Sequence, residues 1–216
     1  MNSVEKERAE RQRGFTLVEL LVSMLLTFIV MGAIYSVFRV QTHTVKAQEN
    51  RLEAQEYARA VLDLMVREIR NAGYFPVGAC TTSPANTSGI VSADAQIFQF
   101  VYDANAANGC ADADENITYA FDTANCSTGF GNITRNGSPL TDCNVPTGTS
   151  NFSFTYYPID STTAYSTPVA AGNLGSIQRV SISLTVQSKN TDAQFGGQLN
   201  ATMTSNADLR NRGLPP

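Results

Sequence analysis

The sequence predicts an α+β fold: one long N-terminal helix followed by a body of short antiparallel strands that pack on it. Three observations lead there. From Phe15 to Phe38, 24 residues carry a single charge, Glu19. The helical period then continues with one apolar face as far as Ala72. From Gln96 onward the apolar period drops to two, as in half-buried strands.

The first element is long enough to cross a bilayer, for which about 20 apolar residues suffice. No proline occurs before Pro76, and Gly32 is the only glycine between Phe15 and Ala72, so the helix is expected to run on without a break. At 1.5 Å per residue, Phe15 to Ala72 would extend roughly 87 Å. Beyond Arg39, Ala54, Ala58, Val61, Leu62, Met65, Ile69 and Ala72 recur at steps of three and four. Glu53, Glu56, Asp63, Arg67 and Arg70 fall on the opposite face. Arg59 with Asp63, and Asp63 with Arg67, have the spacing of i,i+4 ion pairs. Gly73 follows as the expected C-cap.

Strands are expected over Gln96 to Tyr102, Ile117 to Phe121, Gly131 to Arg135, Phe152 to Tyr157 and Ile177 to Val186, with a last short one over Asn200 to Thr204. Val180, Ile182, Leu184 and Val186 alternate with Ser181, Ser183 and Thr185, which gives one dry and one wet face. Asn136-Gly137 is a hairpin turn signal. The expected organisation is a leader over 1–14, an apolar helix over 15–40, its amphipathic continuation over 41–72 and a β-rich body over 73–216.

Charge follows the same division. The leader has four basic and three acidic residues, the helix six of each, and the body five basic against ten acidic. Basic residues beside an apolar span stay on the cytoplasmic side, so the leader is expected inside and the body outside. An acidic body argues against a nucleic-acid partner, which needs a Lys/Arg surface. Four cysteines, Cys80, Cys110, Cys126 and Cys143, lie in the exported part and read as two disulfides. Three pairings are possible; Cys80 with Cys110 and Cys126 with Cys143 closes the shorter loops and is preferred. Without a C-x-x-C pair, and with His43 the only histidine, no zinc site is expected.

Asp112, Asp114 and Glu115, near Asp103, are oxygen donors of the kind calcium prefers, but their spacing does not match a calcium loop, and a solvated loop is the expected reading. No nucleophile–base set converges around the one histidine, so neither an enzyme nor a cofactor site is expected.

The join of leader and apolar run is the informative stretch: Arg13-Gly14-Phe15-Thr16-Leu17-Val18-Glu19. A secretory signal is cut after its apolar region, whereas here the small residue stands before it. Glu19 is a carboxylate inside a membrane segment, which costs on the order of 3 kcal/mol and calls for a partner. Gly14, Phe15, Thr16, Leu17 and Glu19 resemble the G-F-T-L-x-E signature of type IV pilins and type II secretion pseudopilins. That resemblance implies a pilin-like fold and a membrane peptidase that cuts after Gly14 and methylates the new amine of Phe15. It also implies that Glu19 serves the amine of a neighbouring subunit during assembly, since a buried charge is tolerable only when paired.

Glu68-Ile69-Arg70-Asn71-Ala72-Gly73-Tyr74, and the later I-T-Y-A-F, I-T-R-N-G-S-P-L and F-S-F-T-Y-Y segments, resemble PilW-type minor pilins; the J-type pseudopilins share much of this layout. The resemblance implies an inner-membrane subunit with a periplasmic body that later joins other minor and major pilins in a surface filament. A secretion pseudopilus, a tip adhesin and a DNA-uptake subunit are the alternatives.

Overall fold

The computed structural model describes residues 15–75, 89–103, 113–188 and 198–209. Among these residues one α-helix, α1, covers Leu17–Ile69. Nine strands are described after it: β1 (Ile90–Ala93), β2 (Ile97–Val101), β3 (Asn116–Asp122), β4 (Phe130–Arg135), β5 (Ser138–Pro139), β6 (Val145–Pro146), β7 (Phe152–Pro158), β8 (Ile177–Gln187) and β9 (Asn200–Asp208). The chain divides into two compact units, Met1–Val45 and Lys46–Pro216.

In the first unit every described residue from Phe15 to Gln41 is exposed in the isolated chain. This stretch of α1 is long and apolar enough to cross a membrane. Its hydroxyls are satisfied within the helix: Ser23, Thr27 and Ser36 donate to the carbonyls of Leu20, Ser23 and Ala33 at 2.9, 2.7 and 2.8 Å. Hydrocarbon offers no replacement for such bonds, so internal satisfaction is what a lipid-facing helix requires.

In the second unit the predicted stripe is the buried one. Ala54, Ala58, Val61, Leu62, Met65 and Ile69 are covered, and Val66 joins them. The α-helix stops at Ile69, three residues short of expectation, and residues 70–73 form a turn. Gly73 ends that turn with φ +76°, and its N–H donates to Val101 O at 2.9 Å, which ties the turn to β2. The ion pairs expected among Arg59, Asp63 and Arg67 do not form; these side chains are solvated, and Lys46 pairs instead with Glu49 at 3.2 Å.

The strands build two antiparallel sheets where one was expected. The first has the order β1-β2-β3-β4-β5, with β6 on a separate stretch of β4; the second is β7-β8-β9. Phe98 on β2 joins the two, its ring 5.3 Å from Phe100, 5.6 Å from Phe154 and 5.4 Å from Tyr156. The outer edge of β7 is closed by the first sheet and a loop. Phe154 N–H donates to Ala95 O at 2.8 Å, Gln96 Nε2 to Phe152 O at 3.2 Å, and Tyr165 N–H to Tyr156 O at 2.8 Å. Asn136 and Gly137 make the expected turn between β4 and β5, both with positive φ, as a two-residue hairpin of that type requires.

Gly89 and Gly73 meet back to back: a Cβ on Gly89 would lie 2.1 Å from Gly73 Cα, and Gly89 itself has φ +67°. Gly89→Ala is therefore expected to cost about 3 kcal/mol or more. Gly137→Ala, with φ +79° but open space around it, should cost only about 1 kcal/mol. Urea unfolding midpoints of the two variants would check this ordering.

Candidate functional site: the first turn of the helix and its far end

Thr16 and Glu19 form a reciprocal cap at the start of α1. Glu19 N–H donates to Thr16 Oγ1 at 3.2 Å, and Thr16 N–H and Oγ1–H both donate to Glu19 Oε2 at 3.1 Å. Thr16 is thus the N-cap and Glu19 the third helical residue of a capping box. Leu20 N–H to Thr16 O, 3.2 Å, is the first bond of the helical ladder. The negative carboxylate also lies at the positive end of the helix dipole. Glu19 is exposed, and its Oε1 has no partner among the described residues.

Phe15, the first described residue, is 83% exposed, and Gly14 lies outside the described residues. The capping box stands in the sequence as T-x-x-E, but a carboxylate so close to an apolar run points first to a distant partner, and the local role was not expected.

At the other end of α1 a second charged group is held. Arg135 Nε donates to Glu68 Oε1 and Oε2 at 3.1 and 2.9 Å, and Tyr119 Oη–H donates to Glu68 Oε2. Glu68 comes from the helix, Tyr119 from β3 and Arg135 from β4, where the two strand residues are direct partners in the ladder. A half-buried carboxylate with two donors is the condition under which such a charge is tolerated. Burial, and then the bond to Glu68, push the Tyr119 phenol well above its ordinary range. Burial also raises Tyr156, whose Oη–H donates to Asp94 O at 2.8 Å. No spacing rule links residues 68, 119 and 135, so sequence reasoning did not find this cluster.

Cys126 and Cys143 form a disulfide, S–S 2.05 Å, and Cys80 and Cys110 lie outside the described residues. The bridge pins the β3–β4 loop to the segment before β6, where Asn132 Oδ1 also accepts from Cys143 N–H. Of the acidic cluster, Asp112 is outside the described residues, Asp114 is exposed and Glu115 is buried at the start of β3. Among the described residues no group of three His, Cys, Asp or Glu side chains is placed to hold a metal ion.

An apolar helix capped at its first turn, running into a unit whose two antiparallel sheets cover its far half, defines a pilin-like protein. The sequence model of the prokaryotic N-terminal methylation motif matches residues 10–35, and that of prepilin peptidase-dependent protein B matches residues 47–205. The chain belongs to the prepilin peptidase-dependent protein B family, with processing by prepilin peptidase as the family description states. The prepilin-type signal and the apolar helix fit anchoring in the inner membrane. No curated protein and no solved structure matches the chain.

Two outcomes are expected. Thr16→Val keeps the shape but removes the hydroxyl, which should loosen the first turn by about 1 kcal/mol while Thr16→Ser does not. Hydrogen exchange at the amide of Glu19 in detergent micelles reads this directly. On the alkaline side, a raised phenol keeps its proton in the folded state after the unfolded chain has lost it. Stability is therefore complete below about pH 10 and falls as pH rises beyond it. Tyr119→Phe should flatten part of that decline in urea titrations taken at increasing pH.

Proposed function

We propose that this chain is a minor pilin of a type IV pilus, resembling the PilW type, which helps to initiate filament assembly. The prepilin peptidase cuts after Gly14 and methylates the amine of Phe15. The body, 73–216, stands in the periplasm before assembly and on the cell surface afterwards, with other minor and major pilins as partners. The role is structural and not enzymatic.

The observation that carries the reading is the state of Glu19. One carboxylate oxygen is satisfied inside its own helix and the other has no partner among the described residues, at the first turn of an exposed apolar helix. In hydrocarbon, an open anionic oxygen and a new ammonium are each costly alone and far less so together. Residue order supports the same scheme. The cap uses the amide of Thr16, so removal of residues up to Gly14 leaves it intact, while the new amine arises one residue outside the helix.

Mass spectrometry of sheared filaments should find the chain beginning at a methylated Phe15, and filaments without it would exclude the pilus role. In the same preparations Glu19→Ala should be cleaved normally but incorporated at least about tenfold less, as expected when one member of a buried charge pair is lost. Normal incorporation would remove Glu19 from the assembly step.

A further inference from the structure

Among the described residues, one edge of the three-stranded sheet is left open, unlike the edges at β7, β1 and β5. On β7 the three outward residues, Phe152, Phe154 and Tyr156, all have main-chain partners. On β1, Ala93 O accepts from Val169 N–H at 2.8 Å, and β5 ends in Pro139. The other edge is β9. Its register with β8 pairs Ala201 with Val186, Met203 with Leu184 and Ala207 with Val180. Ser188 N–H to Leu199 O and Leu209 N–H to Gln178 O, 2.9 and 2.8 Å, fix which residues bond inward: the odd-numbered ones.

Asn200, Thr202, Thr204, Asn206 and Asp208 therefore aim their N–H and C=O groups away from the sheet. Among the described residues none of these main-chain groups has a partner. The strand has no proline, glycine or lysine, and its pairing with β8 has no bulge, so the usual protections of an edge are missing.

We propose that this edge pairs with the same edge of a second copy of the chain, antiparallel and centred on Thr204. In that register Thr204 faces Thr204, Thr202 faces Asn206 and Asn200 faces Asp208. Every outward-bonding residue meets another, giving about ten main-chain hydrogen bonds. The side-chain pairs are hydroxyl with hydroxyl and hydroxyl with amide, which are favourable across strands. The one charge of the strand, Asp208, meets an asparagine and not its own copy. On the inner face Met203, partly buried, meets Ser205 and extends the apolar layer from one sheet into the next. The two sheets become one of six strands, β7-β8-β9 followed by β9-β8-β7 of the second copy.

The full chain in detergent micelles, followed by light scattering across the micromolar range, tests this. The wild type is expected to dimerise. Thr204→Pro removes only an outward N–H and leaves the β8 ladder whole, so it should fold normally and associate at least about tenfold more weakly. Thr204→Lys, which sets two ammonium groups face to face, should do the same by another route. Unchanged hydrogen exchange in β8 confirms that either variant is folded. A wild type that stays monomeric, including one that pairs only with a strand of a different subunit, overturns the proposal. So does a dimer that survives both substitutions, because the membrane helix would then be holding it.

Discussion

The burial of one helical stripe, Ala54 to Ala72, is the constraint on which the second unit is built. Ala58, Leu62, Met65, Ile69 and Ala72 join one apolar cluster with residues of both sheets. Large apolar side chains from β2, β3, β7 and β8 complete that layer, with Phe98 at the meeting point. Fully burying a side chain of this size contributes about 2–3 kcal/mol, so the layer far outweighs any single polar contact. The polar contacts supply direction instead, since Glu68, Arg135 and Tyr119 fix how the end of the helix meets β3 and β4. The turn after Ile69 and the Gly73–Gly89 contact then lock the exit of the chain toward β1.

The helix was legible because its signals are local and repeated. Every residue of the predicted stripe is buried, and Glu53, Glu56, Asp63, Arg67 and Arg70 are exposed, as the period requires. The longer strands were legible for the same reason; β8 keeps its alternation from Val180 to Leu184, and the Asn136-Gly137 turn has the backbone its residues favour. Thr185, expected on the wet face, is instead buried, with its hydroxyl 2.8 Å from that of Thr202. What escaped was decided at a distance. β6 is two residues long and exists because Gly131 and Phe130 of β4 are opposite it. β9 extends four residues beyond Thr204 although Ser205, Asn206, Ala207 and Asp208 have little strand preference, since β8 supplies a partner for each. The division into two sheets likewise follows from Phe98 and the closed edge of β7, which no window of sequence contains.

The chemistry at the N-terminus was legible in part. Its residues identify the signature, and the matches over 10–35 and 47–205 place the chain in its family. The local use of Glu19 was harder to see, because a carboxylate in an apolar segment directs attention to intermolecular partners first. Thr16 to Glu19 start the helix, and one oxygen of Glu19 has no partner among the described residues.

The position of that cap has a thermodynamic consequence. A cut before Phe15 falls outside the hydrogen-bonded spiral, so hydrolysis there breaks no backbone bond of α1. Among the described residues, a chain cut there, as proposed, keeps every hydrogen bond of the first turn and gains an ammonium one residue before the cap. In the proposed maturation the described helix is therefore already formed when the new charge appears, and its first turn needs no rearrangement.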